Sequence, residues 1–235
     1  MLEIKNIDVY HGDIQAIWDL EVTVQDGEIV ALVGANGAGK TTIVETIAGL
    51  LKPAEGSIIW DSVCINKLPA NKLVDFGISL VPEDKSLFAD MSVLENLEMG
   101  AFRSASRKQK EKSLEYVYEL FPVLKDRAHQ RVGTLSGGEQ QMVCMGRSLM
   151  SKPNLMLLDE PSLGLSPLMV KIIYQALKQA NKLGMSILLV EQNVRLALET
   201  SNRAYIIENG RCINCGNSST LLDDEHIKEA YLGKI

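Results

Sequence analysis

The chain has 235 residues, of which 46% are hydrophobic and 23% are charged, and its formal net charge is −6. This composition is ordinary for a globular protein, and the negative charge argues against a surface that coats nucleic acid. No apolar run in the sequence approaches the roughly 18–20 residues that span a bilayer. The first residues alternate in polarity, which predicts a strand and not a signal peptide. We therefore expect a cytosolic protein of one large or two small domains, whose membrane role would come through a partner.

The N-terminal segment predicts a group of antiparallel strands. Alternating and apolar runs fill residues 1–33 and are separated by Gly12 and by Asp26-Gly27. The last of these runs, residues 28–33, is apolar and rich in β-branched side chains, as in a strand that is buried on both faces. We expect this strand to lead directly into the glycine-rich segment that follows it.

That glycine-rich segment spells G-x-x-x-x-G-K-[ST], a pattern in which backbone N–H groups surround phosphates and a lysine reaches the outer ones. Ile43, Val44 and Ile47 then recur at helical spacing, and Gly49 is placed to end the helix. The start of such a helix directs free amides and a positive dipole end at phosphate, so the segment predicts a nucleotide site. Its expected members are Gly34, Ala35, Asn36, Gly37, Ala38, Gly39, Lys40, Thr41 and Thr42.

The middle of the chain changes from strands to helices. Residues 57–60 and 78–81 have the character of short strands, and a capping box of Ser92 and Glu95 then opens a helical region. Residues 103–121 carry a cluster of lysines and arginines interleaved with glutamates before an amphipathic run. We interpret the cluster as a solvated helix face and not as a patch for nucleic acid or acidic lipid.

The last third of the chain alternates strand and helix again. The runs 155–158, 168–183 and 186–190 predict a strand, a helix and a strand, which is the pattern of a parallel sheet. The first of these strands ends in Asp159 and Glu160, at the sheet edge that faces a nucleotide crevice. Asp159 is suited to hold Mg²⁺ together with the Thr41 hydroxyl, and Glu160 to polarise an attacking water.

One further motif, LSGGEQ at residues 135–140, predicts a helix start in which Ser136 and Glu139 form a capping box. A helix start with two glycines is a second anion-binding terminus, but the spacing does not say which phosphate it serves. Together with the phosphate loop and the Asp-Glu pair, in this order, LSGGEQ resembles the signature of ATP-binding cassette (ABC) ATPases. The resemblance covers essentially the full chain.

The resemblance implies an α/β fold with a P-loop NTPase (RecA-like) core. The core has a mainly parallel sheet, an N-terminal antiparallel β subdomain and a helical insertion. Residues 1–235 would form a single ABC ATPase domain, with the core at about 1–85 and 151–235 and the helical subdomain at about 86–150. In that family two cassettes pack head to tail. Each ATP, bound with Mg²⁺, lies between the phosphate loop of one cassette and the signature of the other.

The family pattern also assigns roles to matching residues. Ser136, Gly137 and Gly138 would contact ATP bound to the opposite subunit. Tyr10 matches the aromatic residue that stacks on adenine, with a plain strand aromatic as the alternative. The loop 162–165 would contact the opposite subunit.

Three positions depart from the common family pattern. Glu83 stands where most members have glutamine, Leu165 where most have aspartate, and Gln192 where most have the switch histidine. Gln192 can donate a hydrogen bond to the γ-phosphate but cannot titrate near neutrality. Glu83 can ligate the metal or a water, but adds negative charge beside the phosphates. We expect an active enzyme with Lys40, Glu160 and Gln192 as its catalytic residues.

A narrower resemblance concerns the transported substrate. The segments at 81–83, 161–165 and 190–193, with a tail ending at 231–233, resemble an ATPase of the branched-chain amino acid importers and the related urea importer subunit. Lipopolysaccharide-export ATPases share the tail but keep the switch histidine. The remaining alternatives to a transporter subunit are a soluble non-transport ABC ATPase and another P-loop enzyme. The importers combine two different ATPases, two permeases and a substrate-binding protein, which would place this chain on the inner face of the membrane. Leu87, Phe88 and Met91 would then contact a permease or lie in the core.

Cys212 and Cys215 form a C-x-x-C pair, which by itself suggests a redox or zinc site. The segment 205–213, which includes Cys212, predicts a hairpin whose turn is Asn209-Gly210. Residues three apart on a regular strand point to opposite faces, so we expect the two sulfurs to diverge and to be ordinary strand cysteines.

Overall fold

A computed structural model describes residues 1–229, with the backbone alone at residues 104 and 105. The tail residues 231–233, used above for the resemblance to importers, lie outside the described residues. The strands are β1 (Leu2–His11), β2 (Ile14–Val24), β3 (Ile29–Val33), β4 (Glu55–Trp60), β5 (Val63–Cys64), β6 (Ile78–Val81), β7 (Leu155–Asp159), β8 (Ser186–Glu191), β9 (Arg203–Glu208) and β10 (Arg211–Asn217).

The helices group in the middle of the chain and between the later strands. Two single 3₁₀ turns, Val74–Phe76 and Val132–Thr134, accompany them. The α-helices are α1 (Lys40–Ile47), α2 (Ala70–Leu73), α3 (Val93–Gly100), α4 (Ser104–Arg107), α5 (Lys110–Leu120), α6 (Pro122–Asp126), α7 (Gly137–Met150), α8 (Pro167–Lys182), α9 (Val194–Thr200), α10 (Ser218–Asp223) and α11 (Glu225–Ile227).

The larger sheet has six strands in the order β10-β9-β3-β8-β7-β6, and all neighbours are parallel except β10 with β9. Every residue of β3, β7 and β8 is buried, because α7, α8 and α9 cover one face of the sheet and α1 with β1, β2 and β4 covers the other. The α/β fold with a parallel sheet, expected from the pattern of residues 155–190, is thus confirmed. The carboxyl ends of β3, β7 and β8 lie side by side, which brings the segments after Val33, Asp159 and Glu191 together.

The smaller sheet is antiparallel and has the order β2-β1-β4-β5. The expectation of an antiparallel N-terminal group is confirmed for β1 and β2, which pair over most of their length. It is wrong for β3, which pairs in parallel with β8 and β9 in the other sheet. The reason is that β3 is apolar on both faces, and only the centre of the larger sheet buries both.

The helices α3 to α7 pack mainly on one another and on the β6–β7 edge of the larger sheet. Capping boxes start α3 at Ser92 and α7 at Ser136, where each serine hydroxyl accepts from the backbone N–H three residues on and each glutamate side chain accepts in return. In the basic segment, Arg103 pairs with Asp75 and Lys110 with Glu98, as expected of a solvated charged face. Among residues 1–229, we find no helix long and apolar enough to cross a bilayer.

The hairpin β9–β10 corrects the expectation for the C-x-x-C pair. The register of β10 shifts between Cys212 and Asn214, so that Cys212 lies opposite Ile207 and Cys215 opposite Tyr205. Ile207 and Tyr205 are two residues apart on β9 and share a face, so the bulge puts both cysteines on that face. Burial, with a smaller contribution from the neighbouring Cys215 thiol, raises the pKa of Cys212 to about 11. The prediction that the sulfurs diverge is therefore wrong, although both thiols are free.

Candidate functional site

The loop of residues 34–39 connects β3 to α1 with the geometry of a phosphate cradle. Gly37 and Gly39 have φ angles of 79° and 101°, in the left-handed region that favours glycine. A Cβ at Gly34 would lie 2.2 Å from the carbonyl oxygen of Ile207, so a larger residue has no room there. No side chain caps the N-terminus of α1, which leaves its first amides available for phosphate oxygens.

Lys40 is the first residue of α1 and lies almost fully buried beside this loop. Its Nζ donates hydrogen bonds to the carbonyl oxygens of Gly34 at 2.9 Å and Ala35 at 3.1 Å. It also forms an ion pair with Glu160 Oε1 at 3.3 Å. A buried ammonium group needs such partners because desolvation of an unpaired charge is costly. The same nitrogen can therefore exchange these partners for the oxygens of a phosphate.

A cavity of about 710 Å³ opens above the loop, on the side of α1 that faces β1 and β2. Six of the nine residues expected at the nucleotide site line it, as do the expected Glu83 and Glu160. Several residues that the motifs did not indicate line it as well. The lining residues are His11, Ile14, Gln15, Ala16, Trp18, Asn36, Gly37, Gly39, Lys40, Thr41, Thr42, Glu83, Glu160, Leu163, Asn209 and Gly210.

Tyr10 is not among these lining residues. Its hydroxyl donates to Gln15 Oε1 at 2.8 Å, while the next residue, His11, lines the cavity with Nε2 3.0 Å from Thr42 Oγ1. Trp18 lines the same wall from β2. On β1, His11 shares the face of the buried Val9, two residues earlier, whereas Tyr10 lies on the opposite face and is 40% exposed. The structure therefore brings His11 and Trp18 to the cavity in place of Tyr10.

A second cavity, of about 570 Å³, adjoins the first and is lined by all three residues expected to hold metal, Thr41, Glu83 and Asp159. Glu160 lines both cavities. Asp159 is 3% exposed, and its Oδ1 has no hydrogen-bond partner. The pKa of Asp159 is raised to about 6, mainly by burial and with smaller contributions from the Glu160 and Glu83 charges, while the Thr41 hydroxyl opposes the rise.

These features fit a Mg²⁺ ion. No group of three or more His, Cys, Asp or Glu side chains within residues 1–229 is arranged to hold a metal by itself. Mg²⁺ usually takes one or two carboxylates and completes its shell with waters and substrate phosphates, which is what this cavity offers. The buried Asp159 carboxylate oxygen has no hydrogen-bond partner and lies near a threonine hydroxyl. It is a ligand atom that such an ion would satisfy.

Glu160 follows β7 and has a φ angle of 45°, which is rare for a residue with a side chain. Its N–H donates to the Val190 carbonyl oxygen at 3.0 Å, which ties the end of β7 to β8. Strained backbone of this kind persists only where the surrounding structure holds it, and it is concentrated at functional sites. The strain places the carboxylate at the wall that the two cavities share.

The signature residues lie elsewhere on the surface. Ser136 and Gly137 are exposed and Gly138 is buried at the start of α7, and none of the three lines the two cavities just described. The hydroxyl of Ser136 is held by Glu139, whose carboxylate is paired with Arg127 at 3.0 Å. Within one chain, the structure does not bring this helix start to the phosphate loop.

Gln192 is exposed just beyond β8 and does not line either cavity. The residue before it, Glu191, is 2% exposed and accepts hydrogen bonds from Tyr174, Ser162 and Asn193. Sequence reasoning did not single out Glu191. A charged residue that ends an otherwise apolar buried strand was the available signal.

A phosphate loop at the carboxyl edge of a parallel sheet, with a buried lysine and adjoining carboxylates, defines the class of P-loop nucleotide-hydrolysing proteins. A family model described as ABC transporter matches residues 17–163. The chain therefore belongs to the ABC transporter family, and it is an ATP-binding subunit with ATPase activity.

Individual relatives match over nearly the whole chain. The sequence is 44% identical to the high-affinity branched-chain amino acid transport ATP-binding protein BraG of Pseudomonas aeruginosa, covering 99% of this chain and 100% of the relative. It is 35% identical to the lipopolysaccharide export system ATP-binding protein LptB of Escherichia coli, covering 99% and 97%. A solved structure of an ABC transporter ATP-binding cassette in its ADP conformation matches with a TM-score of 0.85 at 26% identity, covering 100% and 99%.

Proposed function

We propose that this protein powers an importer for branched-chain amino acids by hydrolysing Mg²⁺-ATP. The observation that carries the substrate assignment is the 44% identity, over essentially its full length, to a transport protein named for these amino acids. The cavity around Lys40, Asp159 and Glu160 supports the hydrolytic half of the proposal.

In this proposal the phosphate loop and Lys40 bind the β- and γ-phosphates. Thr41 and Asp159 hold Mg²⁺, which, when bound, neutralises phosphate charge and orients the outer phosphates. Glu160 accepts a proton from the attacking water, and its position at the shared cavity wall supports this role. Glu83 lines both cavities and serves as a further ligand of the metal or of its water.

Gln192 senses the γ-phosphate by donating a hydrogen bond from its amide. Its exposure and its place after β8 leave it free to turn toward a closed dimer interface. Because the amide does not ionise, we expect this contact to be independent of pH near neutrality. Tyr10 remains a predicted adenine contact, although His11 and Trp18 are better placed in this structure.

A second cassette completes the site in a head-to-tail dimer. Support comes from the exposure of Ser136 and Gly137, which lie outside the ATP cavities of their own chain. Their helix start and the glycines are suited to a phosphate brought by a partner. The solved relatives include a dimeric ABC transporter cassette. The partner here would be a different ATPase subunit.

Two permease subunits would hold the protein on the inner face of the cell membrane, and a substrate-binding protein would act through them, with no nucleic acid as partner. A groove of about 580 Å³ between α3, α7 and the 3₁₀ turn before β6 supports a docking place. Phe102 and Met99 line the groove and are 74% and 46% exposed. Phe88 is 49% exposed, whereas Leu87 packs against the core.

The division into a core and a helical subdomain at about residues 86–150 stays a prediction.

The test is ATP-driven uptake in vesicles that contain the chain together with two permease subunits and a substrate-binding protein. We expect accumulation of radiolabelled leucine that stops with Lys40→Ala, because the lysine then no longer holds phosphate. Urea is the matched alternative substrate. Urea uptake without leucine uptake would overturn the amino-acid assignment, and extraction of lipopolysaccharide would favour the LptB-like alternative.

A further inference from the structure

Glu191 is a buried carboxylate that is held by three neutral donors. Its Oε1 accepts from the Tyr174 hydroxyl and from the Ser162 N–H at 3.3 Å, and its Oε2 accepts from the Asn193 N–H at 3.4 Å. Burial raises the pKa of Glu191, and these hydrogen bonds oppose the rise. Burial also raises the pKa of Tyr174, with the Glu191 charge adding to it, so the tyrosine is the donor of the pair.

Two of the three donors, Ser162 and Asn193, belong to segments that have different tasks in the proposed site. Ser162 lies two residues after Glu160, in the loop that the strained Glu160 backbone begins. Asn193 follows Gln192, and its side chain caps α9 by accepting from Leu196 N at 3.1 Å. One buried carboxylate is therefore bonded to the segment of the general base and to the segment of the γ-phosphate sensor.

We propose that Glu191 is a positioning residue for ATP hydrolysis, which fixes the Glu160 loop relative to Gln192. The inference rests on the proposed function, in which those two residues act on the γ-phosphate and its water. The strained φ of 45° at Glu160 needs restraint from both sides. The Val190 carbonyl restrains its N–H, and Glu191 restrains the loop beyond it through Ser162. Glu191 touches no phosphate itself, so its effect is on geometry at the reacting atoms.

The experiment compares Glu191→Gln with Tyr174→Phe in the full chain. Glu191→Gln keeps the size but replaces one acceptor oxygen with a donor, so one of the three N–H or O–H groups loses its acceptor. We expect kcat to fall about tenfold or more while the KM for ATP stays within about twofold, because misplacement affects chemistry more than binding. Tyr174→Phe leaves the carboxylate in contact with both loops, and we expect a smaller fall, about two- to fivefold.

The matched control is Glu199→Gln, an exposed glutamate on α9 that pairs with Arg195, and its kcat should equal that of the wild type. The melting temperature and the affinity for a fluorescent ATP analogue are measured on every variant, so that activity is expressed per folded, nucleotide-binding molecule. A wild-type kcat per folded Glu191→Gln molecule would overturn the inference, and so would a raised KM at unchanged kcat. If Glu191→Gln does not fold, a wild-type kcat in Tyr174→Phe overturns it instead.

Glu160→Gln, assayed in parallel, separates this inference from the proposed function. If Glu160→Gln hydrolyses ATP at the wild-type rate, the proposed role of the general base fails, whatever Glu191 does. If Glu160→Gln is inactive while Glu191→Gln is fully active, only the positioning role of Glu191 fails. Loss of activity in both, with nucleotide affinity retained, supports the two proposals together.

Discussion

The Nζ of Lys40 lies 3.3 Å from Oε1 of Glu160, and the two side chains are 4% and 11% exposed. The proposed phosphate-binding lysine and the proposed general base thus neutralise each other in this structure. A bound γ-phosphate offers the lysine a stronger anionic partner, so we expect ATP binding to release the glutamate toward the attacking water. The ion pair would then suppress hydrolytic chemistry until the substrate is in place.

Replacement of Glu160 tests this relationship directly. In Glu160→Gln we expect ATP hydrolysis to fall at least about 100-fold, because an amide cannot accept the proton of water. ATP binding should be retained or become tighter, since the lysine no longer has a competing anion. Single-turnover hydrolysis and equilibrium binding of Mg²⁺-ATP measure the two effects. Glu55→Gln, exposed on β4, is the control, and equal losses in both variants would contradict the assignment.

Asp159 gives a prediction about stability and pH. Its folded pKa of about 6 lies above the ordinary value of 3.8, so the folded state binds the proton more tightly than the unfolded state. Stability without nucleotide should therefore fall as the pH rises from about 4 to 6 and stay lower above that range. Asp159→Asn removes this loss, and we expect it to be more stable than the wild type at pH 7.5 by on the order of 1–3 kcal/mol.

Urea unfolding at pH 4.5 and 7.5 measures this difference between Asp159→Asn and the wild type. With Mg²⁺ and a nucleotide at pH 7.5, the wild type should become more stable than Asp159→Asn. The reason is that the ionised Asp159 then has a cation beside its unpartnered oxygen. The variant should gain little from Mg²⁺ and should hydrolyse ATP poorly. Equal metal-dependent stabilisation of both proteins would show that Asp159 does not hold the ion.

Arg203 joins the two sheets, and its removal should destabilise the fold. Its guanidinium forms a bidentate pair with Glu28, at 2.6 and 3.1 Å, and donates to the Thr23 carbonyl oxygen on β2 at 2.8 Å. We expect Arg203→Ala to cost about 2 kcal/mol, because partly buried charge-assisted bonds are lost and Glu28 keeps only the Gln25 N–H as a partner. Thermal unfolding should show a fall of roughly 4–8 °C.

The matched control is Arg195→Ala, whose ion pair with Glu199 is exposed on one helix. Such pairs contribute little, so its melting temperature should stay within about 2 °C of the wild type. An equal effect of the two arginine variants would contradict the proposed connection between the sheets.

Local sequence patterns predicted the structure correctly where the geometry of a segment depends only on its own residues. The phosphate loop follows from glycine spacing between an apolar strand and a helix, and the Asn209-Gly210 turn follows from its residues, both with positive φ. Local patterns gave wrong predictions where the pairing between strands determines the direction of a side chain. The bulge in β10 that brings Cys212 and Cys215 to one face is a property of the register with β9.

The same limit explains the other differences at the site. His11 and not Tyr10 lines the cavity because the face of β1 that carries His11 packs toward α1, where its Nε2 lies near Thr42 Oγ1, and only the packed structure shows which face that is. Glu191 and Tyr174 lie 17 residues apart in the chain and meet because α8 packs against β8. Their contact depends on tertiary packing, which the periodicity of either segment does not encode. The phosphate loop, LSGGEQ and the Asp-Glu pair, in this order, were by contrast enough to predict the family.

Gln192 provides the last prediction, since it occupies the position of a histidine in most family members. Gln192→Ala should lower kcat about 10- to 100-fold with little change in KM, because a hydrogen bond to the γ-phosphate is removed in the transition state. Gln192→His should keep activity but acquire a pH dependence. Histidine titrates near 6.5, and its protonated form adds positive charge at the phosphate.

We therefore expect the ratio of the Gln192→His rate to the wild-type rate to rise as the pH falls, with a midpoint above about 6.5 because the phosphate charge raises the pKa of a histidine beside it. Taking the ratio cancels the titration of groups that both proteins share, such as Asp159. Steady-state rates at saturating Mg²⁺-ATP from pH 5.5 to 8.5 provide the measurement, with Gln175→Ala, exposed on α8, as the control. A constant ratio would mean that residue 192 does not contact the phosphate, because a titrating side chain in contact with it must change the local charge.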